Sequence, residues 1–306
     1  MTANEPFKSV LVALDLTEMD DALIRYAQLL SRALPLERLF FVHVSQDLEL
    51  PAELLQEYPG LLEPRDESIQ GDIQQKVNRY FTGAAPDIQC LVEEGNAIEK
   101  VLKICKIKNV DLIVMGRKKS LRGSGIVSSK IARRCPCSLL LVTQDFRSDY
   151  KKVLVPVDFS AHAAQAMQRA QELSSAPSTE LLMLHVFRVP AGYSRIGKSY
   201  EEFKQIMESH ARKDGHDFLA KYNFPSDTPC VYLATDDGNR AELTYAFAEE
   251  NGVDLMVIGS RGRTAAAAVL IGSMAEKIVY RDSEIPVLIV KSKGENMKLL
   301  NALMRI

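Results

Sequence analysis

Short apolar runs recur along this chain, separated by stretches whose apolar residues fall three or four positions apart. In the C-terminal half the runs lie at 152–158, 180–187, about 228–233, 254–258 and 286–290, and helical spacing fits 161–174, 199–222, 239–250 and 273–281. The N-terminal half shows the same succession of runs at 8–14, 38–44, 88–92, 111–115 and 138–142. Strands alternating with helical segments predict parallel strands joined by crossover helices. Runs such as Val153–Val157 are continuous rather than alternating, which suits strands covered on both faces.

The two halves are copies of one another. Val10-Leu11-Val12-Ala13-Leu14-Asp15 matches Val153-Leu154-Val155-Pro156-Val157-Asp158, an offset of 143. Gly95-Asn96 matches Gly238-Asn239, and Asp111-Leu112-Ile113-Val114-Met115-Gly116 matches Asp254-Leu255-Met256-Val257-Ile258-Gly259, both at 143 again. His43-Val44 and His185-Val186 are offset by 142, so one residue has been gained or lost nearby. Unrelated blocks sharing one offset identify a tandem duplication. The expected fold class is α/β, with two domains that are each a five-stranded parallel sheet carrying helices on both faces. Their expected bounds are 1–146 and 150–291, with a short polar junction in 144–151. Residues 292–306 form a tail whose apolar positions from Met297 to Ile306 predict a short amphipathic helix. It either packs on its own chain or binds a partner.

Composition narrows the function classes. The 306 residues fit two domains. Lys and Arg number 38 against 40 Asp and Glu, a net charge of −2, which argues against gripping nucleic acid by bulk charge. The longest mostly apolar uncharged stretch, Thr264–Ala275, is far shorter than the roughly 20 residues of a spanning helix, so no membrane association is expected. Met1–Asp15 lacks a basic region followed by an apolar core, so no signal peptide is expected. The five cysteines then read as reduced, buried or half-buried thiols of a cytoplasmic protein.

Open parallel sheets bind ligands beyond the carboxyl ends of their strands. In the second copy those positions are Asp158 after the first strand, Val186 and Phe187 after the second, and Gly259 after the fourth. The fourth strand opens into Gly259-Ser260-Arg261-Gly262, then nine residues from Arg263 to Ile271, then Gly272-Ser273 and a helical run. Glycine allows sharp turns and close approach of amides to a bulky anion. A Gly-Ser pair at a helix start adds unpaired amides, a hydroxyl and the positive end of the helix dipole. Spacing alone leaves two readings open, a loop that wraps a polyphosphate and an ordinary strand-to-helix connection. Ala265–Ala268 favour a helical turn inside that loop.

On these residues the second copy resembles the universal stress protein family, in its nucleotide-binding branch. That branch carries Gly-x2-Gly-x9-Gly-Ser/Thr, matched by Gly259, Gly262, Gly272 and Ser273 with every interval intact. Asp158, within Val-Pro-Val-Asp-Phe-Ser, matches the aspartate that ends the first strand, and His185-Val186 matches the pair that ends the second. The resemblance covers nearly the whole chain as two copies. It implies tandem Rossmann-like domains of the adenine nucleotide α-hydrolase-like kind, a stress-response role, and ATP, AMP or ADP as ligand with Mg²⁺ as an accompanying ion. Asp158 would then meet ribose hydroxyls or a phosphate-bound Mg²⁺, or else simply precede the Ser160 helix cap. Val186 would offer its main chain to the adenine edge. Gly259 and Gly262 would admit the phosphate chain, and Gly272 and Ser273 would bind its far end. Pro156, Ile258 and Met274 would be walls. Arg261 would lend charge, though a solvated loop arginine is the plainer reading. The resemblance further implies pairing of last strands, Leu139–Val142 with Val287–Val290, as an internal pseudo-dimer; a homodimer of whole chains is left open.

The first copy departs from this pattern. Gly116 is kept, the second glycine is replaced by Lys119, only five residues separate Lys119 from Gly125, and Ile126 stands where the hydroxyl residue should be. This copy is therefore expected not to bind a nucleoside triphosphate in the manner of the family. Arg117–Arg134 instead holds seven basic residues and no acid, either an anion site or a solvated helix face; the absence of interleaved aromatics weakens a nucleic-acid version. Cys135-Pro136-Cys137 lacks the spacing of redox or zinc pairs and reads as buried thiols. His43 and His185, recurring at strand ends, predict a shared structural hydrogen bond. The resemblance implies a nucleotide-binding stress or signalling protein rather than an enzyme, with slow ATP hydrolysis left open. Its rivals are an interaction scaffold and a nucleotide-transferring enzyme, the latter disfavoured because no glycine stands in Asp158-Phe159-Ser160 or Asp15-Leu16-Thr17.

Overall fold

A computed structural model of the chain describes residues 6–45, 65–83, 86–117, 124–147, 149–174, 178–193, 197–236, 238–263, 270–281, 283–294 and 296–297. The chain divides into two compact units between Asp145 and Phe146. The first unit runs β1 (Ser9–Leu14), α1 (Met19–Ala33), β2 (Arg38–Ser45), α2 (Arg65–Tyr80), β3 (Asp87–Glu94), α3 (Ala97–Ile107), β4 (Leu112–Gly116), α4 (Ser124–Arg134) and β5 (Ser138–Val142). Its strands are parallel in the order β3-β2-β1-β4-β5. The second unit runs β6 (Lys152–Pro156), α5 (Ala161–Leu173), β7 (Glu180–Arg188), α6 (Tyr200–Tyr222), β8 (Cys230–Thr235), α7 (Arg240–Glu250), β9 (Leu255–Gly259), α8 (Ser273–Tyr280) and β10 (Val287–Val290). Its order, β8-β7-β6-β9-β10, repeats that of the first, again all parallel. The α/β architecture expected from the run pattern is what the chain adopts. No described helix is long and apolar enough to cross a membrane.

Burial explains the continuous apolar runs. Val10, Leu11 and Val12 of β1 and Val153, Leu154 and Val155 of β6 are all fully buried, because helices cover both faces of these central strands. In the first unit α1 packs on β1, β4 and β5 and against α2, while α3 packs against α4. In the second, α5 covers β6, β9 and β10, α6 covers β7 and β8, and α7 packs on α8.

The duplication is visible in the backbone as well as in the sequence. Leu16 and Phe159 both take a left-handed conformation, with φ of 60° and 62°, one residue after the aspartate that follows the first strand. Such a conformation is strained for bulky residues, so its recurrence marks a turn the fold imposes. Asn109 and Gly252 repeat a second left-handed position at φ of 51° and 61°, at the ends of α3 and α7. The repeated Asp111 and Asp254 have a structural task. Asp111 accepts the Lys8 and Ser9 backbone N–H groups, and Asp254 accepts those of Lys151 and Lys152, pinning the start of the first strand in each copy.

Two differences from the sequence reading bear on the site. β7 extends through Arg188, because β8 pairs with it as far as Arg188↔Thr235, so Val186 and Phe187 lie within the strand rather than after it. The β1–β4 ladder continues to Ala13↔Met115, whereas the β6–β9 ladder stops at Leu154↔Met256, two residues earlier in the repeat. Proline supplies the reason. The Asp254 N–H bonds the Lys152 carbonyl, so residues 152, 154 and 156 turn their peptide groups toward β9. Pro156, where the first copy has Ala13, has no N–H to give there. The hydrogen-bond ladder between β6 and β9 therefore parts there, where the strand order reverses.

Candidate functional site

That parting is framed by the residues singled out from sequence in the second copy. Asp158 sits half-buried just beyond β6. Its Oδ1 accepts the Ser160 N–H at 3.1 Å, and its Oδ2 accepts the Arg263 N–H at 2.8 Å, tying the end of β6 to the loop after β9. Ser160 caps α5 by accepting the Ala163 N–H, so Asp158 both precedes a helix cap and joins the loop.

The loop after β9 closes on itself. The Gly272 N–H donates to the Ser260 carbonyl at 2.6 Å, and a Cβ on Gly272 would lie 3.4 Å from that oxygen and 3.7 Å from the Gly262 nitrogen. The two ends of the nine-residue interval thus stand side by side. The interval's residues 264–269, including the helical turn expected at Ala265–Ala268, lie outside the described residues. α8 begins at Ser273 with Gly272 as its N-cap, and the Glu276 N–H makes its first intrahelical bond, to the Gly272 carbonyl. Glycine brings no capping side chain. The Ser273, Met274 and Ala275 N–H groups are thereby left without intrahelical acceptors at the positive end of the helix dipole.

The three glycines have different reasons to be glycine. A Cβ at Gly259 would fall 2.7 Å from the His162 carbonyl oxygen, so close packing of α5 on β9 requires it. The first copy repeats this, since a Cβ at Gly116 would fall 2.6 Å from Met19 Cγ. At Gly262 the neighbour is Asp158 Oδ2, 2.8 Å away and movable. At Gly272 the surroundings offer only ordinary contact distances. The fold itself asks for Gly259, whereas at Gly272 it leaves room.

Around these groups the walls are apolar. Pro156 and Ile258 are buried at the ends of β6 and β9, and Met274 is half-buried on α8. Val186 is buried, and its peptide group faces β6, because the Val157 N–H bonds the Leu184 carbonyl and peptide orientation alternates along β7. β6 has ended by that level, so the peptide faces the space beyond the end of β6. Arg261 is not the solvated loop arginine of the plainer reading: it is buried, with Nη2 on Asn296 Oδ1 at 3.3 Å.

Sequence reasoning missed Phe159 and Arg263. The Phe159 ring stacks on His185 with centroids 4.4 Å apart and tilts against Phe218 of α6. The Arg263 guanidinium lies 5.6 Å from the Phe159 ring centroid and reaches Asp214 Oδ2 of α6 at 3.5 Å. A cation directly after the second glycine was the available signal for Arg263, and nothing in the sequence joined it to Asp214. His185 Nδ1 meets the Val157 carbonyl at 2.8 Å, and His43 Nδ1 meets the Leu14 carbonyl at 3.1 Å, the shared hydrogen bond expected from the repeat. Burial, together with Arg263 and Arg240, holds the His185 imidazole below its ordinary pKa, against the Val157 hydrogen bond and Asp158.

The corresponding place in the first unit is built differently. Asp15 is exposed, and its N–H, with that of Leu16, bonds the fully buried Asp20 carboxylate. Burial raises the Asp20 pKa. The repeat puts Ala163 there in the second copy. Lys119 and the shortened loop, 118–123, lie outside the described residues; Lys130, Arg133 and Arg134 of the basic segment are exposed on α4. Among the described residues no group of three or more His, Cys, Asp or Glu is placed to hold a metal. None of the five cysteines is in a disulfide; Cys90, Cys105, Cys135 and Cys137 are buried and Cys230 is partly so.

Comparison with known proteins agrees with this doubled architecture. The chain is similar to the universal stress protein MJ0577 of Methanocaldococcus jannaschii, 28% identical over 160 residues that span 47% of this chain and 97% of the relative. It is likewise similar to the universal stress protein YxiE of Bacillus subtilis, 32% identical over 156 residues, 46% of this chain and 99% of the relative. Among solved structures, a putative universal stress protein from Pseudomonas aeruginosa shares the fold with a TM-score of 0.67 at 15% identity, covering 97% of this chain and 98% of that one. A universal stress protein from Archaeoglobus fulgidus does so with a TM-score of 0.61 at 18% identity, covering 92% and 98%. The profile of the universal stress protein family matches twice, at residues 6–143 and 149–291, and the chain belongs to that family as a tandem of two such domains.

Proposed function

We propose that the second domain, residues 150–291, binds ATP or a related adenine nucleotide (AMP or ADP), and that the bound nucleotide serves stress response or signalling by shifting conformation or partner affinity. The observation that carries this reading is the α8 N-terminus. A glycine cap leaves three amides without intrahelical acceptors, next to Gly262 and the Asp158 carboxylate, at the parting of β6 and β9. The groups fit an anion with a nucleoside attached. The Ser273, Met274 and Ala275 amides would receive phosphate oxygens, with Ser273 Oγ beside them. Asp158 has two lone-pair directions beyond the two its own chain uses, enough for a ribose hydroxyl or a phosphate-bound Mg²⁺. The Val186 peptide would read the adenine edge, between the walls of Pro156, Ile258 and Met274. The first domain, with Asp15 and Leu16 held by Asp20, is assigned no nucleotide. One observation favours a second reading, an interaction scaffold: Asp158 is already engaged by Ser160 and Arg263. Denaturing the purified protein and separating the released small molecules tests the choice. About one adenine nucleotide per chain is expected. If none is released and none binds on titration with Mg-ATP, the scaffold reading stands instead.

A further inference from the structure

Three of the five cysteines converge in the first unit, away from the candidate nucleotide site. Cys105 lies near the end of α3, and Cys135 and Cys137 lie just before β5. Cys135 Sγ donates toward the Cys137 carbonyl at 3.4 Å, which turns its thiol to the backbone. Cys137 Sγ meets Cys105 Sγ at 3.2 Å, inside ordinary sulfur–sulfur contact. All three are buried, Cys105 at 2% exposure and the other two at 0%. The cluster is not placed to hold a metal. It is also not a duplicated feature of the fold, because the repeat offset puts Ala248 opposite Cys105.

We propose that Cys105 and Cys137 form a reversible redox site, oxidised to an intradomain disulfide by hydrogen peroxide. A disulfide bond is about 2.05 Å long, so the sulfurs need to approach by only about 1.2 Å. One thiolate attacks a peroxide oxygen and breaks the O–O bond, giving a sulfenic acid and, with its own former proton, water. The second sulfur displaces hydroxide from the first, and that hydroxide leaves as water with the second thiol proton. Two thiols and one peroxide give one disulfide and two waters; sulfur is oxidised and the peroxide oxygens are reduced. The bond would close a loop between residues 32 apart in sequence, enclosing β4, the basic segment and α4. Oxidation would thus tie the end of α3 to the start of β5. Cys230, only partly buried and outside the cluster, is an internal reference for the delivery of peroxide.

The test is peptide mapping of the full chain under non-reducing conditions, after hydrogen peroxide and then alkylation in denaturant. The expected product is a peptide pair linked through Cys105 and Cys137, with fragmentation between Pro136 and Cys137 excluding Cys135, an intact mass lower by two hydrogens, and reversal by dithiothreitol. Cys135→Ala should keep the link and Cys137→Ala should lose it. Recovery of Cys105 and Cys137 as alkylated thiols when Cys230 has already been oxidised overturns the proposal. So does a link through Cys135. Intact mass and mapping of the unsubstituted protein decide between these outcomes even if a variant fails to fold.

Discussion

Gly259 and Gly272 carry the same letter in the sequence and opposite consequences in the structure. Gly259→Ala sets a Cβ against the His162 carbonyl, a backbone atom that cannot swing aside, so denaturant unfolding should show a loss of about 1–3 kcal/mol. The Cβ that Gly272→Val adds meets only ordinary contacts, so this variant should be destabilised less than Gly259→Ala while losing nucleotide. Equal destabilisation by both would refute the division of roles. His185 makes a second prediction at this scale. Its pKa is lowered in the fold, mainly by burial, so below its ordinary value of 6.5 the unfolded chain binds the extra proton more readily. Stability from this group should be complete above about pH 6.5, fall as pH drops below it, and level off beneath the lowered folded value. Arg263 contributes to the depression, so in an NMR titration Arg263→Gln should move the His185 midpoint upward. An unchanged midpoint would detach Arg263 from this site.

The elements show where sequence pattern was sufficient. The β1 and β6 runs, buried on both faces, announced central parallel strands, and helix starts such as Ser160 were readable from a hydroxyl ahead of an alanine-rich run. The end of β7 was readable to within one residue, the run at 180–187 against a strand whose pairing with β8 reaches Arg188; what the pattern did not show is that Val186 and Phe187 lie inside it. The early end of the β6–β9 ladder was latent in one letter, Pro156 against Ala13, but its meaning depends on which way residue 156 turns its peptide. Pro156→Ala restores a donor facing β9. One additional hydrogen bond, worth about 0.5–1.5 kcal/mol, should form and be seen as slowed exchange of the new amide, while Mg-ATP binding weakens as the parting narrows. A protected amide with unaltered binding would mean the parting is not the nucleotide's place.

At the scale of the whole molecule, the repeat offset identifies the tandem duplication, the profile matches over both copies give the family, and divergence between copies carries the functional claim. Gly259, Gly262, Gly272 and Asp158 were singled out by spacing and resemblance. Phe159, Arg263 and the Asp20 carboxylate were not, because their partners, His185, Asp214 and the Asp15–Leu16 turn, are joined only by folding. The central claim is a single adenine nucleotide site, in the second copy. Calorimetric titration of the full chain with Mg-ATP tests it most directly. It should give a stoichiometry near one per chain, lost in Gly272→Val and retained when the same change is made at Gly125. Two sites per chain, or loss of binding through Gly125 with Gly272→Val unaffected, would contradict it.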